Sequence, residues 1–146
     1  MRFLAGVVLT VGLCVLAGSG ARAGAKADNL DGTWIPTSLE VDGKKAPAEA
    51  LKNLKLVIKG TKFTLHIDGK TLNGSYKADP SKTPKTIDAT FEDPAGKTAA
   101  VVLAIYELKG DTFRVCGAAP DKARPKEFAS KPGEGHELVV YKRQKP

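Results

Sequence analysis

The sequence predicts an all-β fold, an eight-stranded antiparallel meander that closes into a barrel, and three observations support this prediction. Apolar and polar residues alternate with a period of two from Thr33 onward, which is typical of half-buried strands. The breaks between these runs are mostly short and rich in Gly, Asp and Pro, so consecutive strands should be antiparallel neighbours. Only one short segment has a helical composition. Closing the meander into a barrel would leave it without unpaired edges.

The first strand and the single helix occupy the N-terminal part of the predicted domain. Residues 33–41 form the strand, which ends at the turn dipeptide Asp42-Gly43. A helix of one or two turns is expected over residues 47–53, because Pro47 suits a first-turn position and good helix formers follow it. The helix is therefore predicted to lie between strands 1 and 2.

Four further strands follow from apolar residues spaced two positions apart, as in Phe63, Leu65 and Ile67. Turn signals such as Gly60-Thr61 and Asp68-Gly69 separate the shorter ones. The predicted strands cover residues 54–59, 62–68, 71–78 and 87–92.

The next segment, residues 98–108, is apolar on both faces. We expect the face that carries Val101, Leu103 and Ile105 to point into the barrel. The opposite face would then need a cover, which could be another part of the chain, a partner protein or a second copy. The last two strands are predicted over residues 112–117 and 136–142.

The predicted barrel has an interior that side chains either fill or leave open for one small ligand. Burying a large aliphatic or aromatic side chain gains roughly 1.5–3 kcal/mol, so we expect a mostly filled interior. A void at the open end would instead be an apolar pocket for one small molecule. The residues predicted to face inward and to line such a pocket are Phe63, Leu65, Ile67, Leu72, Tyr76, Ile87, Phe91, Val101, Leu103, Ile105 and Phe113.

The stretch Gly32-Thr33-Trp34 contains the only tryptophan of the chain and opens the first strand. Gly-x-Trp at this position resembles the signature of lipocalin-like barrels, which implies that the indole plugs the closed end of the barrel. The resemblance also implies an arginine from the last strand across the indole, and Arg143 is well placed for this role. A guanidinium stacked on an indole contributes roughly 0.5–2 kcal/mol.

Six longer stretches occur in order between Leu30 and about Arg143: LDGTW, DGKKAPAE, LVIKGTKFTL, GSYKADPSKTPKTIDATF, AIYELKGDTFRVC and RPKEFAS. Together they resemble an uncharacterised domain family that occurs as many small exported copies in planctomycete-type bacteria. The resemblance implies a lipocalin-like fold over nearly the whole domain. It implies no activity and no catalytic residue.

The N-terminal residues are typical of a signal peptide. A positively charged start and an apolar run precede the cleavage pattern Ala21-Arg22-Ala23, which predicts a cleaved peptide over residues 1–23 and export to the periplasm or beyond. Residues 24–29 are expected to be a flexible N-terminus, and residues 30–146 the barrel domain. Lipid attachment at Cys14 is not expected, because a bulky leucine precedes this cysteine.

Composition argues against several classes of function. The chain carries a net charge of +7, but its basic residues are interleaved with acidic ones, unlike the basic face of a nucleic-acid-binding protein. The two histidines, His66 and His136, are far apart, and no zinc-binding or catalytic motif is present. We therefore expect no metal, no cofactor, no membrane span and no enzymatic activity. Cys116, the only cysteine after cleavage, is expected to be buried.

Residues 118–135 form the longest predicted connection, and loops of this length tend to be functional or disordered. Three prolines and an apolar anchor, Phe128, predict a flap packed on the barrel, with Arg124 and Glu127 available for ion pairs. This flap would also cover an apolar face of the 98–108 strand.

These features predict an exported, non-catalytic, lipocalin-like domain. Our first hypothesis is that it binds a small apolar or amphipathic molecule at the barrel mouth, gated by the 47–53 helix or the 118–135 flap. The alternative is a cell-envelope module with a filled barrel and no ligand, which would contact another protein through an outer face.

Overall fold

The structure is a computed structural model that describes residues 28–145. The predicted signal peptide, with Cys14, and the segment 24–27 lie outside the described residues. Residues 28–145 form nine strands and one short helix, α1, over Ala48–Leu51. The strands are β1 (Gly32–Val41), β2 (Lys44–Lys45), β3 (Leu54–Lys59), β4 (Lys62–Ile67), β5 (Lys70–Asp79), β6 (Lys85–Glu92), β7 (Thr98–Lys109), β8 (Thr112–Ala118) and β9 (His136–Arg143).

Eight of these strands form a closed antiparallel barrel. From β3 to β9 each strand pairs with the next one, and β1 pairs with both β3 and β9. The remaining strand, β2, pairs only with the end of β1 and lies outside the barrel. The predicted meander of eight strands closed into a barrel is therefore confirmed.

The predicted turns adopt the backbone conformation that their residues favour. Asp42 and Gly43 have φ angles of 49° and 78°, and Asp68 and Gly69 have φ angles of 47° and 79°. Two consecutive positive φ angles are characteristic of the type I′ turn, whose twist matches that of the flanking strands. The Asp-Gly dipeptides thus fix the register of two hairpins.

The structure differs from the sequence prediction at the ends of some elements. The helix is one turn, Ala48–Leu51, with Pro47 as its N-cap, so it is shorter than the predicted 47–53 helix. The two-residue strand β2 was not expected, since a pair of lysines carries no alternation. The segment before Leu30 is also held in place where the structure describes it, because the Asp28 carboxylate accepts hydrogen bonds from Lys85 and Tyr106.

Trp34 closes one end of the barrel. Its side chain is completely buried, and its indole N–H donates a hydrogen bond of 2.8 Å to the Leu30 carbonyl. The Arg143 guanidinium lies 4.6 Å from the centre of the indole ring and donates hydrogen bonds to the carbonyls of Asn29 and Asp31. Arg143 therefore covers the indole and also holds the segment that precedes β1.

Gly32 has a φ angle of 136°, a conformation that other residues rarely adopt. The glycine allows the chain to enter β1 from the segment that crosses the barrel end. This is the physical reason for a glycine two positions before the tryptophan.

Aromatic rings fill the barrel next to the plug. The ring of Phe113 lies 5.3 Å from Trp34 and 5.9 Å from Tyr106, and it stacks on Tyr141 at 6.0 Å. Leu30 and Ile58 are buried in the same cluster. The closed half of the barrel is thus a packed core.

We predict that Trp34→Ala lowers the free energy of unfolding by about 3–5 kcal/mol, because it removes the plug and leaves a cavity in the packed half. Denaturant unfolding followed by circular dichroism measures this change. Leu72→Ala is the control, since Leu72 is 39% exposed and its truncation should change stability by less than about 1 kcal/mol. Equal stability of the Trp34→Ala variant and the wild-type protein would contradict the role of the indole.

Candidate functional site

The half of the barrel away from Trp34 contains a cavity of about 490 Å³ that opens at the barrel end. Most of the side chains around it are apolar, and its rim is formed by the end of β1 and by the two ends of the flap, residues 118–135. The lining residues are Val41, Asp42, Leu56, Ile58, Phe63, Leu65, Tyr76, Ile87, Ala89, Phe91, Val102, Ala104, Phe113, Val115, Gly117, Ala118, Ala119, Pro120, Gly135, His136, Glu137, Val139 and Tyr141.

Small side chains on three neighbouring strands account for the cavity. Ala89 of β6 lies opposite Val102 of β7, and Ala104 of β7 lies opposite Gly117 of β8. A Cβ atom added to Gly117 would lie 3.2 Å from Val102, so the wall is tight there and gives little room for a larger side chain. The interior is therefore hollow at this end, and the expectation of a mostly filled barrel is wrong.

The residues that sequence analysis assigned to the pocket fall into two groups. Phe63, Leu65, Tyr76, Ile87, Phe91 and Phe113 line the cavity. Ile67, Leu72, Val101, Leu103 and Ile105 do not line it. The first group lies on β4, β5, β6 and β8, where apolar and polar faces differ clearly.

The predicted inward face of β7 is wrong. Val102 and Ala104 face the cavity, so Val101, Leu103 and Ile105 lie on the outer face. Val101 is 42% exposed, whereas Ile105 is 1% exposed because the flap covers it. Alternation could not identify the inner face, because both faces of this strand are apolar.

Ile67 and Leu72 lie at the open end of β4 and β5, on either side of the Asp68-Gly69 turn. Ile67 pairs with Lys70, and Leu65 pairs with Leu72, which is 39% exposed. Ile67 and Leu72 lie on the inward-facing sides of β4 and β5, but they are too near the strand ends to line the cavity. The strand phase was therefore predicted correctly here, and the depth along the barrel was not.

The flap packs on the outer wall of the barrel. Arg124 donates a hydrogen bond of 2.7 Å to the Ala104 carbonyl and forms an ion pair with Asp88. Pro125 is buried beside it, next to Ile105. The flap thus covers part of the outer apolar face of β7, while only its two ends reach the rim of the cavity.

The next part of the flap crosses β8. The Arg114 guanidinium lies 4.0 Å from the centre of the Phe128 ring, and the Cys116 thiol donates to the Ala129 carbonyl at 3.4 Å. Glu127, by contrast, pairs with Lys131 within the flap and lies at the surface. Phe128 and Arg124 therefore anchor the flap to the barrel. The ion pair of Glu127 stays within the flap.

The flap also holds the turn between β1 and β2. The Ser130 hydroxyl donates to the His136 carbonyl and accepts a hydrogen bond from the Gly43 N–H. A Cβ atom added to Gly43 would lie 2.9 Å from Pro132, so the glycine permits this close approach. The rim formed by the end of β1 is therefore fixed to the flap.

Three polar residues of the cavity, Asp42, His136 and Glu137, lie near its open end and were not predicted from the sequence. The hydroxyl-bearing Tyr76 and Tyr141 also line the cavity, but they lie deeper, toward the packed half. His136 faces Glu134, with 3.3 Å between Nδ1 and the carboxylate. The Tyr76 hydroxyl donates to the Gly60 carbonyl and is therefore already satisfied.

Glu137 is the most unusual of these groups. Glu137 is exposed to solvent where the cavity opens, and the surrounding protein still raises the pKa of its carboxyl by removing part of its hydration. No basic group or hydrogen-bond donor within residues 28–145 offsets this shift. The carboxylate therefore has no basic partner among residues 28–145 and is free to meet a ligand at the mouth of the cavity.

Other kinds of site are not found in the described part of the chain. Between residues 28 and 145, no group of three or more His, Cys, Asp or Glu side chains is arranged to hold a metal ion. No helix in the same range is long and apolar enough to span a membrane. The cavity is therefore the candidate functional site.

Comparison of the chain with known protein families and with curated proteins finds no match.

We predict that Arg124→Ala loosens the flap, because it removes the guanidinium from the Ala104 carbonyl and the Asp88 carboxylate, at a cost of about 1–3 kcal/mol. Burial raises the pKa of the Cys116 thiol beneath the flap, so the thiol should react slowly in the wild-type protein. The variant should show faster labelling of Cys116 by a thiol reagent, quantified by peptide mass mapping.

The control for this experiment is Lys122→Ala, which changes an exposed residue of the same flap. Its labelling rate should equal that of the wild-type protein. Equal rates for the Arg124→Ala variant would show that Arg124 does not hold the flap over Cys116.

Proposed function

We propose that this protein is an exported, non-catalytic binding protein that holds one small apolar or amphipathic molecule in the cavity. The apolar cavity of about 490 Å³ at the open barrel end supports this proposal. Ligand-binding cavities are typically about 300–1,000 Å³, mostly apolar, and common at the mouths of β-barrels. The cavity matches this description in size, chemistry and position.

The distribution of side-chain size supports the proposal. The closed half is packed with aromatic rings, whereas Ala89, Ala104 and Gly117 line the open half. Larger apolar side chains in place of Ala89 and Ala104 would bury more apolar surface and reduce the void. The chain thus has small residues where filling the barrel would favour stability, as is common at functional sites.

The chemistry of the lining supports binding over catalysis. No serine, threonine, cysteine or lysine is among the described residues that line the cavity, so a side-chain nucleophile of these types is lacking. His136, the one lining histidine, is directed at Glu134. The alternative of a protein-interaction module assumes a filled barrel, and the hollow interior favours ligand binding over it.

We predict that the wild-type protein binds N-phenyl-1-naphthylamine, an apolar dye that is uncharged at neutral pH, in a saturable manner with one site per chain. Val102→Phe should weaken binding by about tenfold or more, because the larger ring occupies the cavity. Fluorescence titration measures the affinity. The melting temperature of the variant should change little, because the new side chain enters existing space.

The matched control is Val101→Phe, which makes the same change one residue earlier on the outer face of β7. This variant should bind the dye within about twofold of the wild-type affinity. Failure of the wild-type protein to bind the dye, or equal weakening by both variants, would contradict the proposed function.

A further inference from the structure

The charged side chains that line the cavity are acidic. Glu137 lies on β9 with the same inward phase as Val139 and Tyr141, and it pairs with Val41 and Gly117 of the two neighbouring strands. Asp42 lies next to Val41 at the rim. Two carboxylates therefore lie at the open end of an otherwise apolar cavity.

Lysine and arginine do not contribute to this lining in the part of the chain that the structure describes. The chain has 23 lysine and arginine residues against 16 aspartate and glutamate residues, so their absence from the lining does not reflect composition. Lys44 and Lys45 of β2 lie close by in sequence but are exposed and outside the lining. The cavity thus has an acidic end on a basic protein.

Two polar groups of β9 line the cavity, Glu137 at the open end and Tyr141 deeper inside, and both can accept a hydrogen bond. The Glu137 carboxylate has no protein partner that offsets its burial within residues 28–145. Burial, together with the nearby Glu137 charge, raises the pKa of the Tyr141 hydroxyl, so this hydroxyl stays protonated at neutral pH. An ammonium group would supply the missing donor and positive charge to Glu137.

We propose that the cavity selects amphipathic molecules that carry one protonated amine, with the apolar body against the aromatic and aliphatic walls and the ammonium group at the Glu137 carboxylate. This inference rests on the proposed function, which it extends by naming the ligand class. Asp42 adds a second negative charge on the path into the cavity. An anionic amphiphile such as a fatty acid meets repulsion from both carboxylates, and a neutral one is held by the walls alone.

Competition among three ligands with the same chain length tests this inference. Decylamine, decanol and decanoic acid are each titrated against the bound naphthylamine dye at neutral pH and low salt. We expect decylamine to displace the dye at a concentration about tenfold or more below that of decanol, and decanoic acid to be the weakest. Equal displacement by decylamine and decanol would overturn the inference and leave the proposed function intact.

Glu137→Gln assigns the preference to one residue, because it removes the charge and keeps the shape of the side chain. In this variant decylamine should lose its advantage over decanol, while decanol displaces the dye as in the wild-type protein. Retained decanol binding also shows that the variant is folded. A full preference for decylamine in the Glu137→Gln variant would overturn the assignment.

Glu134→Gln is the control for general surface charge, since Glu134 lies at the same end but outside the cavity lining. This variant should keep the preference for decylamine. Displacement of the dye by none of the three ligands would contradict the proposed function itself, which separates its failure from that of the inference on ligand class.

Discussion

The pairing between the first and last barrel strands is the constraint on which the rest of the structure depends. β1 pairs with β3 at its start and with β9 over most of its length, and the register along β9 shifts between Pro36 and Ser38. Trp34 lies where the two pairings meet, opposite Leu56 on one side and Arg143 on the other. Barrel closure therefore brings the indole and the guanidinium together without any further device, and it removes the unpaired edges of the sheet.

Closure divides the interior into two halves with different packing. Aromatic rings around Phe113 fill the half next to Trp34 and stabilise the barrel, while small side chains on β6, β7 and β8 leave the other half open. The flap packs on the outer wall, so it strengthens the barrel and fixes the rim without filling the cavity. The packed core and the cavity thus lie at separate ends of one small domain.

The sequence predicted the strands well because strict alternation and Asp-Gly turns leave little freedom for the backbone. It could not predict the inner face of β7, where both faces are apolar and the flap covers Ile105 from outside. The same limit applies to β9, whose apolar residues on both faces concealed the inward position of Glu137. The cavity depends on small residues that lie opposite each other on neighbouring strands, as Ala104 and Gly117 do. The apolar–polar pattern within one strand does not show which residues of the next strand will lie opposite.

NMR spectroscopy of the labelled protein shows whether the sheet closes on itself through β1 and β9. Barrel closure predicts nuclear Overhauser effects between the backbone protons of Leu39 and Val139 and between those of Ile35 and Lys142, which are paired across this seam. It also predicts slow amide exchange along both strands, since these amides are hydrogen-bonded. Rapid exchange along β1 and β9, with no cross-strand contacts between them, would mean that the sheet is open and the barrel is not closed.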